Sequence, residues 1–109
     1  MNSPSSAEAG LKADGSGRVI VTGPVTFATA GDLLLASQPL FVGRNAVTVD
    51  LGAVTSVDSA GLALLLEWLR RARKAGCSVT YTGLPQKLVA IAKLSGVDAM
   101  LVTGPAPAG

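Results

Sequence analysis

A carboxylate, a hydroxyl and a glycine stand close together at Asp58, Ser59 and Gly61, inside the run SVDSAGL at residues 56–62. Three kinds of chemistry suit those types. An acidic or hydroxyl side chain just before a helix can accept hydrogen bonds from the unpaired N–H groups of the first turn. An exposed serine at a helix start can carry a phosphate, whose charge of about −1.5 to −2 would block a docking partner. A serine beside a carboxylate could be a nucleophile, but only with a base held by a further group. The chain has no histidine, which removes the Ser-His-Asp and Cys-His arrangements. Asp58 has no evident orienting partner, so no catalytic residue is assigned and the chain is not expected to be an enzyme. A helix cap and a binding or regulatory surface remain open for the same residues.

Other chemistry is sparse. One cysteine, Cys77, permits no intramolecular disulfide, which fits a reducing compartment. No set of side chains suggests a metal, and no Gly-rich loop ends in Lys-Ser/Thr, so neither metal nor cofactor is expected. Four of nine basic residues cluster at Arg70, Arg71, Arg73 and Lys74, where cations suit the negative end of a helix. A net charge of +2 is too small to argue for nucleic acid. The longest purely apolar run is residues 62–66, against the roughly 20 residues that a membrane-spanning helix needs. The first ten residues lack the pattern of an export signal, so a cytoplasmic location is expected. Direct lipid binding finds no segment with a basic face and a large free apolar face.

These groups must be positioned by a single domain of 109 residues, 49% hydrophobic and 15% charged. Residues 14–17, DGSG, form a hairpin turn between a weak strand near residues 9–13 and a β-branched strand at 18–22. Thr29 and Asp32 form a capping-box pattern for a helix that Pro39 ends or bends. Residues 46–51 alternate as a strand. A long helix follows from about 59 to 75, with Leu62, Leu65, Leu66, Leu69 and Ala72 on one face and Gly76 as its stop. Glu67 and Arg71 are spaced to pair. Residues 78–82 read as a short strand. Pro85 opens a further helix that stops near Gly96, and VDAMLV suggests a last turn and an edge strand. The expected architecture is α/β: a mixed sheet of four to five strands with helices mainly on one face. Residues 1–7 and 104–109 are read as flexible tails around a domain at 8–103.

The stretch VDLGAVTSVDSAGLALLL, with Asp-Leu eight residues before Asp-Ser-x-Gly-Leu, resembles the signature of the STAS family over roughly residues 18–102. Two branches of that family are relevant. In anti-sigma-factor antagonists the phosphorylated hydroxyl stands immediately before the glycine, the position of Ala60 here. In the MlaB-like branch, the STAS subunit of a phospholipid ABC transporter, the hydroxyl stands at the position of Ser59, and DSAGLALLL follows that arrangement. GLPQKLVAIAKLSGVDAML resembles that branch's third helix. The resemblance implies a non-catalytic subunit that binds and supports the transporter's cytoplasmic ATPase, and through it the permease complex at the inner membrane, in maintaining outer-membrane lipid asymmetry. The alternative it implies is an antagonist bound by an anti-sigma-factor serine kinase, with Ser59 as the phosphorylation candidate. On the first reading Asp58 and Ser59 supply polar contacts, Ala60 and Gly61 allow close approach, and Leu64 and Trp68 lie off the core stripe as apolar anchors. Packing of Trp68 on a neighbouring strand or loop is the competing expectation.

Overall fold

Period-two alternation sorts the strands into an inner and an outer face. Val19, Val21, Val47, Val49, Leu51, Val79 and Tyr81 are buried, and Ile20, Thr48, Asp50 and Thr80 between them are only partly covered. The buried set joins one core with residues of the helices, so the helices cover one face of the sheet. A computed structural model describes residues 9–102; the expected flexible tails lie outside the described residues. The elements run β1 (Gly10–Ala13), β2 (Arg18–Val25), α1 (Ala30–Ala36), β3 (Ala46–Val57), α2 (Ser59–Lys74), β4 (Ser78–Thr82), α3 (Gln86–Leu94) and α4 (Asp98–Val102). The sheet order is β1-β2-β3-β4, with β1 antiparallel to β2 and the other neighbours parallel. This is the mixed α/β architecture expected from the alternation of strands and helices.

Strand β3 runs on to Val57, six residues past the expected end at Leu51. The sequence hides this because Gly52 and Ala53 interrupt the apolar alternation. In the structure Ile20 faces Asp50 but Thr22 faces Ala53, and Gly23 faces Val54 but Pro24 faces Ser56. Each shift inserts one extra residue into β3, and such bulges bend and twist a strand while keeping it paired. The Asp50 carboxylate stabilises the first bulge by accepting the Gly52 N–H at 2.8 Å, and it pairs with Arg18 at 2.7 Å.

Three further expectations change. Thr29 stands before α1 but its hydroxyl does not cap the helix; it accepts the Thr26 N–H at 3.0 Å and donates to the Pro24 carbonyl at 2.8 Å. The capping box with Asp32 is thus replaced by a locked turn at the end of β2. Pro85 caps α3 in an extended conformation and does not occupy its first helical position. The expected C-terminal edge strand does not form among the described residues: residues 98–102 are helical, and Leu101 is buried. The stop after α2 is as expected. Gly76 has φ 75°, the Gly76 N–H bonds the Arg73 carbonyl at 3.1 Å, and the Cys77 N–H bonds the Ala72 carbonyl at 2.8 Å. A left-handed glycine closes the helix in this way because it bears no Cβ to clash.

Candidate functional site

Strands β2 and β3 are parallel and end side by side, with Val25 opposite Val57. The chain leaves β2 into the turn that carries Phe27, and leaves β3 through Asp58 into α2. Asp58 is extended at φ −144°, and one oxygen of its carboxylate accepts the Ala60 N–H at 2.9 Å and the Gly61 N–H at 3.2 Å. The other oxygen accepts the Phe27 N–H at 3.0 Å. One side chain therefore caps the long helix and clamps the β2 loop to it. The Phe27 N–H is the main reason the carboxyl is held below its ordinary range; the Gly61 and Ala60 N–H groups and the charge of Lys87 act in the same direction, against partial burial. An ionised carboxylate at a helix N-terminus also complements the helix dipole.

The six residues singled out in the sequence separate into two groups. Ser59 is exposed, and Asp58 and Ala60 are half-buried beside it. Gly61, Leu64 and Trp68 are buried. A Cβ on Gly61 would overlap the carbonyl of Val25, so the backbone that approaches this glycine is the chain's own β2. Leu64 and Trp68 do not lie off the core stripe: they keep 4% and 1% of their surface, and Trp68 is among the largest fully buried side chains. Its Nε1 donates to Ser37 Oγ at 2.8 Å, and that hydroxyl donates onward to the Leu34 carbonyl at 2.7 Å. The physical reason is that α1 and its C-terminal turn flank α2 and cover the side that the sheet does not. Leu66 and Leu69, expected toward the sheet, are only half-buried.

One exposed residue was missed in the sequence. Phe27 keeps 86% of its surface although its backbone is fixed by Asp58. The available signal was an aromatic placed among small residues in TFATAG, in a chain with only two phenylalanines; the other, Phe41, is buried. Ser59 and Ala63, one turn apart on α2, are exposed as well, and the Phe27 backbone is bonded to Asp58 just before them, near the C-terminal ends of β2 and β3. Both Asp58 oxygens accept from backbone amides, so the side chain holds the β2 loop and the start of α2. Burial raises the Cys77 thiol above its ordinary pKa and makes it a poor nucleophile. No metal-binding cluster occurs among the described residues.

The family described as Mlab, STAS domain, matches residues 10–103. The chain belongs to the STAS family. This STAS domain is 43% identical over 56 residues to the Escherichia coli K12 protein named intermembrane phospholipid transport system binding protein MlaB. The match covers 51% of this chain, and the chain spans 58% of that relative's length. Among solved structures it is similar to the unphosphorylated anti-sigma factor antagonist SpoIIAA, with a TM-score of 0.68, 11% identity, and coverage of 87% and 86% of the two chains. An anti-sigma factor antagonist from Mycobacterium paratuberculosis gives a TM-score of 0.62 at 24% identity, with coverage of 93% and 87%. Those two likenesses concern the fold. No described helix of the STAS domain is long and apolar enough to cross a membrane.

Proposed function

We propose that this STAS domain is a non-catalytic subunit of an intermembrane phospholipid transport system and docks on the system's cytoplasmic ATPase. The docking face is the end of the sheet where Phe27, Ser59 and Ala63 are exposed. The observation that carries the reading is Phe27: an aromatic side chain left 86% exposed on a loop that Asp58 holds in place. The loop backbone is held before binding, so little loop ordering remains to be done, and burial of the ring contributes about 1.5–3 kcal/mol. The relatedness to the phospholipid transport binding protein supports the choice of partner. The domain acts by mass action: binding only the folded, assembly-ready ATPase raises the population of that state. Location on the cytoplasmic face of the inner membrane follows from the partner.

Phe27→Ala and Ser59→Glu test the face. Both positions are exposed, and a glutamate at the first turn suits the helix dipole. Each variant is expected to keep the thermal midpoint of the isolated domain and to lose co-purification with the co-expressed ATPase. Undiminished co-purification of both variants would place the contact elsewhere and sink the reading.

The alternative reading, an antagonist bound by an anti-sigma-factor serine kinase, is supported by the fold shared with SpoIIAA. Ala60 occupies the position before the glycine and cannot be phosphorylated, which leaves Ser59 as the nearby exposed hydroxyl. Intact mass after incubation with such a kinase and ATP distinguishes the readings: the antagonist gains one phosphate and the transport subunit gains none.

A further inference from the structure

Helix α2 has a second end, and it is built differently. Its last turns carry Arg70, Arg71, Arg73 and Lys74. Glu67 pairs with two of them, Arg70 at 2.7 Å and Arg71 at 2.8 Å. Arg73 and Lys74 have no carboxylate within salt-bridge distance among the described residues. A helix dipole accounts for cations here, but not for what lies next to them. The loop between α1 and β3 presents Val42 with 71% of its surface in solvent, directly after the buried Phe41. Gln38, Phe41, Val42, Arg71, Lys74 and Ala75 line a shallow groove of about 210 Å³. An aliphatic side chain and two cations thus share one depression.

We propose that this groove is a second docking surface, which takes an acidic protein segment carrying one apolar side chain. The apolar side chain lies against Phe41 and Val42, and its flanking carboxylates face Arg71, Arg73 and Lys74. Charge complementarity selects the occupant: four cations stand against the single carboxylate of Glu67. The same cations would also attract an anionic bilayer, so it is the apolar area that separates the two. A membrane-seated surface needs a broad apolar face to bury, whereas this one offers a single exposed valine at a groove.

The groove lies fifteen residues along α2 from Ser59, or about 22 Å at a rise of roughly 1.5 Å per residue. The two surfaces stand at opposite ends of α2, so one rigid helix can join two polypeptide segments. The inference stands whether or not the first partner is an ATPase.

The probe is a short synthetic peptide of aspartate and glutamate with one central leucine, titrated into the 15N-labelled full chain. The amides of Val42, Lys74 and Ala75 are expected to shift, and that of Ser59 is not. Arg73→Glu combined with Lys74→Glu should weaken binding by about tenfold or more. Raising salt from about 50 to about 300 mM should weaken it severalfold, because exposed pairs are screened. Val42→Ser, or a peptide with serine in place of leucine, should also weaken it. Phe27→Ala and Ser59→Glu should leave it unchanged, which separates failure here from failure of the first docking face. No shifts, equal binding of the leucine-free peptide, or sedimentation with phosphatidylglycerol vesicles in the absence of peptide binding would each overturn the proposal.

Discussion

At the scale of single residues, Asp58 and Gly61 have local tasks that fix the surface around Ser59. Asp58 spends its hydrogen-bonding capacity on three amides, one from the loop after β2 and two from the first turn of α2. Gly61 lets α2 begin against the carbonyl of Val25. The expected consequence of Gly61→Ala is displacement of the helix start from β2, at a cost of about 1–3 kcal/mol from overpacking. Urea denaturation of the variant measures this; an unchanged midpoint would mean the contact relaxes freely. The cap was legible in the sequence because capping depends on residue type and on a position next to the helix. It was legible only as a choice between Asp58 and Ser59, since both can accept from the same amides. Phe27 was not legible, because no local rule states that an aromatic beside a strand end stays outside the core.

At the scale of elements, α2 decides which of its apolar residues are available. The sequence marks a helix with leucines on more than one side, and helical periodicity alone selected the stripe of Leu62, Leu65, Leu66, Leu69 and Ala72. The buried set is instead Gly61, Leu62, Leu64, Leu65, Trp68 and Ala72, rotated toward α1. Trp68 shows why: its indole N–H needs a buried acceptor, and Ser37 at the end of α1 supplies one. Trp68→Phe should therefore cost about 1–3 kcal/mol, the usual range for removing one partner of a buried hydrogen bond. The check is paired denaturation of Trp68→Phe and Ser37→Ala; if both melt like the unsubstituted domain, the hydrogen bond contributes nothing. Trp68→Ala tests core packing and not docking. The pair of Tyr81 OH with the Leu65 carbonyl, at 2.6 Å, fixes the other side of the same helix against β4.

At the scale of the whole molecule, the sheet sets the frame. β2 and β3 are the interior strands, and β1 and β4 are edges. Amide exchange is expected to be slowest at residues 48–50 of β3, which pair on both sides, and faster in β1. Uniform protection across all four strands would contradict that order. The sequence by itself determined the α/β class, the hairpin at residues 14–17, the bounds of α2 and β4, and the pairing of Glu67 with Arg71. Each follows from residue type and short-range spacing. Only the tertiary structure decided that β3 continues through two bulges, that Leu64 and Trp68 are inside, that Phe27 is outside, and that Val42 shares a groove with Lys74. Those outcomes depend on which distant elements lie against one another, and burial is a property of that arrangement, not of local periodicity.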